Sequence, residues 1–224
     1  MPFYGQIIAF SVCYSGARLQ RGSSGLTIKT NTKGYLKDWL SALVRKPSQI
    51  GAVLPSSAAL GRAMAGQLNG HSEVVVEIGA GTGAITKAIL GHSRPPQRLI
   101  IVEKHPDLCD VLKRRFGDVE VVNGDAADVA SIAGSLDIEA VDAVVSSLPL
   151  LNLGATFRHA LLESVFSCLR PDGALLQYTY GGKSPIPQRE LEQRDIIARK
   201  IKFVPWNVPP ATVWRYSREE PAVN

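Results

Sequence analysis

The sequence of 224 residues predicts an α/β fold, built on a doubly wound, mostly parallel seven-stranded sheet with an N-terminal helical extension. Short apolar runs alternate with helix-forming segments from residue 74 onwards. A glycine-rich turn, Gly79 to Gly83, directly follows the first of these runs. The last two strand-like runs are joined through Pro209-Pro210, which is too short for a parallel crossover. Those two strands therefore pair antiparallel or lie one position apart in the sheet.

The predicted elements follow in chain order. The strands are predicted at 74–78, 98–102, 119–122, 141–145, 174–180, 201–206 and 212–216. The helices are predicted at 58–68, 84–90, 106–116, 126–136, 155–169 and 188–200. Ser56 or Ser57 is expected to cap the first of these helices, since both precede it with a side-chain hydroxyl. A turn at Pro171-Asp172-Gly173 is expected before the fifth strand.

Length and composition predict one domain with an appended N-terminal segment. The 45% apolar content suffices for a full core. The three cysteines, Cys13, Cys109 and Cys168, are far apart and form no CxxC motif, which indicates reduced thiols in a cytoplasmic protein and no metal site. The predicted divisions are a mobile or loosely packed arm (1–32), amphipathic helices that contact the membrane and roof the pocket (33–70), the main domain (71–218) and a tail (219–224).

The positive charge is concentrated at the N-terminus. Residues 1–46 hold seven basic residues and one acidic residue, whereas the rest holds 18 basic and 19 acidic residues. Such an arm attracts polyanions, either nucleic acid or an anionic membrane surface. Residues 33–44 have helical periodicity, with Tyr35, Trp39 and Leu40 on the apolar side. This pattern fits an interfacial membrane helix and equally a helix packed on the domain.

Acidic residues stand at the ends of the first three predicted strands. Glu77 precedes the glycine turn, where a carboxylate would repel phosphate and suit a cationic, amino-acid-bearing ligand. Glu103 is placed to accept hydrogen bonds from a ribose diol, as it would in an NAD enzyme also. Asp125 is placed to accept from an adenine amine. The ordered set fits S-adenosylmethionine better than NAD. The predicted cofactor-binding residues are Ser56, Ser57, Glu77, Gly79, Ala80, Gly81, Thr82, Gly83, Glu103, Lys104, Gly124, Asp125, Ala126 and Ser146.

The fourth strand ends in Ser146-Ser147-Leu148-Pro149-Leu150, where amine methyltransferases keep the loop that holds the acceptor nitrogen. N6-adenine enzymes place an amide and a stacking aromatic there. Here Ser147 replaces the amide and Leu150 replaces the aromatic side chain, so both features that a flipped base requires are missing. The loop suits an aliphatic amine.

Four segments resemble the soluble bacterial phospholipid N-methyltransferases, which are related to ribosomal RNA adenine dimethylases. They are Ala52-Val53-Leu54-Pro55-Ser56-Ser57, Glu77-Ile78-Gly79-Ala80-Gly81-Thr82-Gly83, Ser146-Ser147-Leu148-Pro149-Leu150 and Gln177-Tyr178-Thr179-Tyr180-Gly181. The resemblance covers residues 33–218, and the arm before Lys33 has no counterpart in that family. It implies a class I methyltransferase fold and an amphipathic helix that reaches the membrane. It also implies stepwise methylation of phosphatidylethanolamine to phosphatidylcholine, with S-adenosylhomocysteine as the product of the cofactor.

The acceptor end of the site is expected to hold aromatic side chains. Tyr178 and Tyr180 lie at the end of the fifth strand, and we expect them to point to opposite faces, so that at most one meets the substrate. Aromatic faces attract methylated ammonium groups. The predicted catalytic residues are Tyr178, Tyr180 and Ser147, and the predicted substrate contacts are Tyr35, Trp39, Leu148, Pro149 and Leu150. His105, His159 and the tyrosines are the nearby candidates for a base, and none is assigned.

The expected function is therefore S-adenosylmethionine-dependent N-methylation of phosphatidylethanolamine. The expected protein is a monomer that binds a phospholipid substrate and an anionic membrane surface, with no metal and no nucleic acid. It is expected in the cytoplasm, peripherally attached to the inner face of the membrane. An RNA adenine N6-dimethyltransferase remains an alternative because of the basic arm, and a small-molecule methyltransferase is a further one.

Overall fold

The structure is a computed structural model, and it describes residues 18–22, 25–29, 56–68 and 72–218, the first two ranges as backbone only. The chain divides into two compact units, Met1–Leu54 and Pro55–Asn224. In the first unit, strands β1 (Arg18–Gly22) and β2 (Gly25–Lys29) pair antiparallel. No regular structure was predicted for this arm. The predicted amphipathic helix at 33–44 and the tail lie outside the described residues.

The second unit contains a seven-stranded sheet, which confirms the predicted fold class. Its strands are β3 (Val74–Ile78), β4 (Arg98–Glu103), β5 (Glu120–Asn123), β6 (Val141–Ser146), β7 (Leu169–Thr179), β8 (Ile197–Val204) and β9 (Ala211–Ser217). They lie in the order β5-β4-β3-β6-β7-β9-β8. The five strands from β5 to β7 are parallel, and β9 runs antiparallel to both β7 and β8. Strand β8 therefore runs in the same direction as β7, and both end at one edge of the sheet.

Helices cover both faces of the sheet. They are α1 (Ala58–Ala65), α2 (Ala84–Leu90), α3 (Pro106–Arg115), α4 (Val129–Ser135), α5 (Ala155–Cys168) and α6 (Gln188–Glu192). Short 3-10 turns occupy Ala126–Asp128 and Leu150–Asn152. Ile100 contributes to the main core with α5, whereas its neighbour Ile101 packs with α3 in a second cluster. Successive residues of a strand point to opposite faces, so both faces of the sheet are buried. Cys109 and Cys168 are buried free thiols.

Two element predictions near the C-terminus were wrong. The helix predicted at 188–200 ends at Glu192, and residues from Ile197 onwards form β8 instead. Asp195 takes a positive φ of 53°, which interrupts helical geometry, and strand pairing with β9 holds the segment that follows. The turn predicted at Pro171-Asp172-Gly173 lies within β7, where the register with β6 shifts between Val141 and Ala143. Because Leu169 pairs with Val141 and Ala174 pairs with Ala143, the four residues from Arg170 to Gly173 form a large bulge opposite Asp142.

Candidate active site

The glycine turn after β3 shapes the floor of the site. Gly79, Gly81 and Gly83 have φ values of 68°, 58° and 80°, in the left-handed region that other residues rarely adopt. A Cβ at Gly79 would collide with Leu148, and one at Gly83 would collide with Phe116. A Cβ at Gly81 would meet nothing within 4 Å. Gly81 therefore lines open space, where a ligand can approach the backbone, while the outer two glycines are required by packing.

Glu103 fastens this turn to the end of β4. Its Oε2 accepts a hydrogen bond from the Gly81 backbone N–H at 3.0 Å, and its Oε1 accepts one from the His105 N–H at 3.0 Å. The side chain is almost fully buried. Because a carboxylate has about four lone-pair positions, each oxygen retains capacity for one more donor. A diol beside Gly81 would meet that need, so the residues present fit the ribose of the predicted cofactor.

Glu77 is a fully buried carboxyl group under the same turn. Its Oε2 accepts a hydrogen bond from the Thr86 hydroxyl at 2.6 Å, while its Oε1 has no hydrogen-bond partner among the described residues. Burial raises the pKa of Glu77 to about 7, although the hydrogen bonds from Thr86 lower it. A buried carboxylate without a full set of partners is costly. A cationic ligand group would offset that cost, which fits the predicted amino-acid-bearing cofactor.

Asp125 begins the 3-10 turn after β5 and is paired on both oxygens. Lys104 Nζ lies 2.8 Å from its Oδ2, and Oδ1 accepts a hydrogen bond from the Ala127 N–H at 3.1 Å. These bonds, chiefly that from Lys104, lower the pKa of Asp125. Asp125 is thus ionised and half-buried at the position predicted for the adenine end. Lys104 reaches the site as the partner of this carboxylate.

The other predicted cofactor residues differ in what they expose. The side chains of Ala80 and Ala126 pack in the core, which leaves only their backbones for contact with a ligand. The Thr82 carbonyl accepts a hydrogen bond from Arg115 at 2.7 Å, so this side of the turn is tied to α3. A Cβ at Gly124 would meet Ile132 at 2.8 Å, which explains a glycine there by packing.

The acceptor loop is held directly against the glycine turn. The Ser147 N–H donates to the Ile78 carbonyl at 3.0 Å, and the Leu148 N–H donates to the buried Ser146 hydroxyl at 3.3 Å. The Leu148 side chain fills the space beside Gly79. Ser146, Ser147, Leu148 and the partly buried Pro149 therefore stand next to the predicted cofactor position.

Leu150 does not line this loop. Its side chain is 1% exposed and belongs to the main core, because the loop turns inward at the 3-10 turn Leu150–Asn152. A contact between Leu150 and the substrate stays a prediction, and it would require this side chain to be reached from the core side of the loop. Its neighbour Leu151 is 65% exposed and presents the apolar surface of this segment.

The two tyrosines at the end of β7 lie on the same side of the sheet. Their ring centroids are 5.6 Å apart, in an edge-to-face arrangement at 63°. The expectation that they point to opposite faces was wrong, because residues i and i+2 of a strand share a face. Tyr178 accepts a hydrogen bond from the Ser56 hydroxyl at 3.4 Å. The Tyr180 hydroxyl is buried, with Tyr178 and Asn207 as its polar neighbours.

Two buried amides complete this end of the site, and sequence reasoning missed both. Asn207 accepts a hydrogen bond from the Ser57 N–H at 3.0 Å and donates to the Pro209 carbonyl at 2.7 Å, so the β8–β9 loop is tied to the start of α1. Gln177 donates to the carbonyls of Leu148 and Tyr178, at 3.0 and 2.6 Å. Asn207 lies between prolines and would be taken for a turn residue, while Gln177 interrupts an apolar strand, which was the one available signal.

The structure thus gathers most predicted site residues along one edge of the sheet. Ser57 also confirms its capping role, since its hydroxyl accepts from the Leu60 N–H at 3.2 Å. His105 and His159 are both exposed. Tyr35 and Trp39 lie outside the described residues. In the portion of the chain that the structure describes, no helix is long and apolar enough to span a bilayer, and no group of His, Cys, Asp and Glu side chains is arranged to hold a metal ion.

Comparison with known proteins identifies several relatives of this chain. A family model described as a methyltransferase domain matches residues 75–173. An ornithine lipid N-methyltransferase from Singulisphaera acidiphila is 33% identical over 177 residues, which cover 77% of this chain and 91% of that relative. A ribosomal RNA small subunit methyltransferase A from Pelagibacter ubique is 28% identical and covers 55% of this chain and 51% of its own length.

Solved structures share the fold. A TehB-like SAM-dependent methyltransferase from Corynebacterium glutamicum aligns with a TM-score of 0.55 over 84% of this chain and 98% of that one, at 16% identity. At that identity the likeness concerns the arrangement of strands and helices. The overall fold of this chain is therefore shared with that protein.

Proposed function

Since the chain belongs to the class I S-adenosylmethionine-dependent methyltransferases, we propose that it methylates the primary amine of a lipid headgroup. Phosphatidylethanolamine is the acceptor expected from the sequence, and the relative from Singulisphaera acidiphila is named for ornithine lipid. Both lipids carry a primary aliphatic amine, which is the chemistry that the proposal names. The identity of 33% over most of that relative's length supports a lipid acceptor.

The observation that carries the proposal is the uncharged, aromatic lining of the acceptor end. Ser147 and the rings of Tyr178 and Tyr180 offer weak dipoles and π-faces. A protonated or quaternary ammonium group is attracted to such faces by roughly 0.5–2 kcal/mol. A flipped adenine would instead require an amide and a stacking ring on the loop, and Leu150, which takes the place of the ring, is buried in the core.

The cofactor is S-adenosylmethionine, which supplies an electrophilic methyl group on a sulfonium centre. Glu103 would hold the ribose through its free lone pairs, and Glu77 would meet the cationic amino group with its unpartnered oxygen. The open space at Gly81 would admit the backbone contact between them. Asp125 is an ionised acceptor available to the adenine amine.

The protein's own residues contribute position and desolvation. Burial raises the pKa of both Tyr178 and Tyr180, so their phenols stay neutral and do not serve as bases near neutral pH. They can accept a hydrogen bond from an amine and exclude water from it. The amine must arrive neutral, and bulk water at the mouth of the site can take its proton. Catalysis would therefore rest mainly on orienting the amine for in-line attack.

The test is methyl transfer from labelled S-adenosylmethionine to three acceptors in separate reactions. Mixed micelles would carry phosphatidylethanolamine or ornithine lipid, and the third reaction would contain unmodified small-subunit ribosomal RNA. The expected result is label in a methylated lipid, identified by chromatography, with none in RNA. The first two reactions distinguish the two headgroups. Label in RNA adenine alone would refute the proposal and favour an adenine dimethyltransferase.

Membrane attachment through the N-terminal arm belongs to the same proposal. Residues 1–46 carry the excess positive charge of the chain. Each basic residue close to an anionic leaflet contributes about 1 kcal/mol of attraction. The arm would therefore hold the enzyme where its lipid acceptor is found.

A further inference from the structure

Exposed apolar side chains are concentrated at one edge of the sheet. Leu151 is 65% exposed, Phe203 55%, Trp206 84% and Val208 75%. Of the large hydrophobic side chains in the described residues, only Leu90 is also exposed, at 37%. Single exposed hydrophobics are common, but several at one edge of a sheet, with a tryptophan among them, indicate a contact surface.

Strand direction places these four residues beside the candidate active site. Leu151 follows the carboxyl end of β6, as the acceptor loop does. Because β8 runs in the same direction as β7, the loop from 205 to 210 leaves the sheet at that same edge. Leu90 ends α2, which returns from the glycine turn towards the opposite edge. We call Leu151, Phe203, Trp206 and Val208 the site rim.

The rim is physically joined to the acceptor end. Asn207 lies between two rim residues, is buried itself, and accepts a hydrogen bond from Ser57 at 3.0 Å. Ser57 is followed by α1, and its neighbour Ser56 donates to Tyr178. One side of the β8–β9 loop therefore faces solvent while the other forms part of the wall around the tyrosine pair. An object that touches the rim is next to the acceptor position.

Two exposed lysines lie at the same edge of the sheet as the rim. Lys202 lies on β8 next to Phe203, and Lys183 lies in the loop after β7, which leaves the sheet at the same edge. Aromatic side chains with nearby lysines are typical of surfaces that settle at the interface of a bilayer. The positive charges complement an anionic leaflet.

We propose that the site rim docks on an anionic lipid surface and turns the mouth of the active site towards it. The inference rests on the proposed function, because a lipid acceptor gives this orientation its use. An amine in a docked headgroup would reach the tyrosine pair without its acyl chains leaving the bilayer. This contact belongs to the methyltransferase unit itself and is independent of the N-terminal arm.

The test compares full-length variants in binding to vesicles of phosphatidylcholine with phosphatidylglycerol, which need contain no acceptor lipid. Phe203→Ala with Trp206→Ala removes apolar rim area, and Leu90→Ala is the matched control at the opposite edge. The rim variant should need at least about tenfold more lipid for half-maximal binding, and the control should match wild type. Equal binding by the rim variant and wild type would overturn the inference, and so would an equal loss in the control.

A second measurement locates Trp206 directly. Brominated acyl chains quench tryptophan fluorescence at short range, and the chain has three tryptophans. The tryptophan fluorescence of wild type should be quenched when the protein binds these vesicles. In Trp206→Phe the quenched share of the fluorescence should be smaller than in wild type. Identical quenching in both proteins would place Trp206 outside the bilayer and overturn the inference, whatever the arm contributes. Loss of RNA binding without loss of vesicle binding in the rim variant would assign the surface to RNA instead.

Activity separates this inference from the proposed function. On a short-chain, water-soluble amino lipid, the rim variant should keep the wild-type rate, whereas on the same headgroup in vesicles its rate should fall in parallel with binding. If wild type methylates neither form of the amino lipid, the proposed function fails. The vesicle-binding and quenching experiments still test the docking of the rim in that case. If wild type methylates both and the rim variant matches it on vesicles, the rim inference fails alone.

Discussion

Glu77→Gln should remove a pH dependence of stability that is built into the cofactor site. Burial raises the pKa of Glu77 to about 7 in the folded, ligand-free protein, whereas in the unfolded chain the pKa returns to its ordinary value of 4.5. Between these values the folded state binds more protons, so the free energy of unfolding falls as pH rises. With 1.36 kcal/mol per pKa unit, the loss between pH 5 and pH 8 is about 2–3 kcal/mol.

Urea unfolding of the ligand-free protein at a series of pH values measures this loss. In Glu77→Gln the isosteric amide cannot ionise, so the difference in unfolding free energy between pH 5 and pH 8 should shrink by that amount. Glu120→Gln is the matched control, because Glu120 is a partly exposed member of an ion pair with Arg98. If the unfolding free energy of Glu77→Gln depends on pH as strongly as that of wild type, the raised pKa of the buried Glu77 carboxyl is refuted.

The same variant tests what Glu77 is for. If the unpartnered oxygen of Glu77 meets the amino group of the cofactor, Glu77→Gln should weaken the binding of S-adenosylmethionine. The expected loss is about 1.5–3 kcal/mol, the range for a hydrogen bond to a charged group. Binding of 5′-methylthioadenosine, which lacks the amino-acid portion, should change little. Calorimetry that shows equal losses for both ligands would mean that Glu77 acts only through the shape of the glycine turn.

Further predictions concern the remaining parts of the site. Glu103→Ala should weaken the binding of S-adenosylmethionine and of 5′-methylthioadenosine alike, by about 2–3 kcal/mol in calorimetry, because both ligands carry the ribose. Gly81→Val should abolish binding by filling the open space beside the turn, so wild-type affinity in both variants would contradict the site. Deleting residues 1–46 should reduce sedimentation with anionic vesicles most strongly at low salt, and unchanged sedimentation would remove the arm as an anchor. Tyr178→Ala and Tyr180→Ala should both slow methylation of mono- and dimethylated amines in a chromatographic assay, since the rings share one side of the sheet; an effect in one alone would contradict a joint wall.

The order of strands and helices could be predicted because local patterns determine it. The run Val74–Ile78, the glycine turn and helix Ala84–Leu90 each carry a signal within a few residues. The helix predicted at 188–200 failed because helical propensity in that segment competes with pairing to β9, a long-range contact that no local pattern reveals. The turn predicted at residues 171–173 was wrong for a related reason. Pro and Gly indicate a turn whether it ends a strand or forms a bulge within one.

The cofactor side was more predictable than the acceptor side. Acids at successive strand ends are brought together by any parallel sheet, so Glu77, Glu103 and Asp125 could be grouped from order alone. The wall around the tyrosines depends on Asn207 meeting Ser57 across 150 positions of sequence. Leu150 shows the same limit, because the inward turn of the loop, and not the residue type, places its side chain in the core.

One continuous set of contacts runs from the cofactor position to the rim. Leu148 packs against Gly79, and Gln177 binds the carbonyls of Leu148 and Tyr178. Tyr178 accepts from Ser56, and Asn207 holds the next residue of that segment. A shift of the β8–β9 loop would therefore displace the tyrosine pair before it displaced the glycine turn. Replacing the exposed rim side chains Phe203 and Trp206 leaves these contacts in place, so it should lower the use of vesicle-bound amine while the affinity for S-adenosylmethionine, which depends on Glu103 and Gly81, stays unchanged.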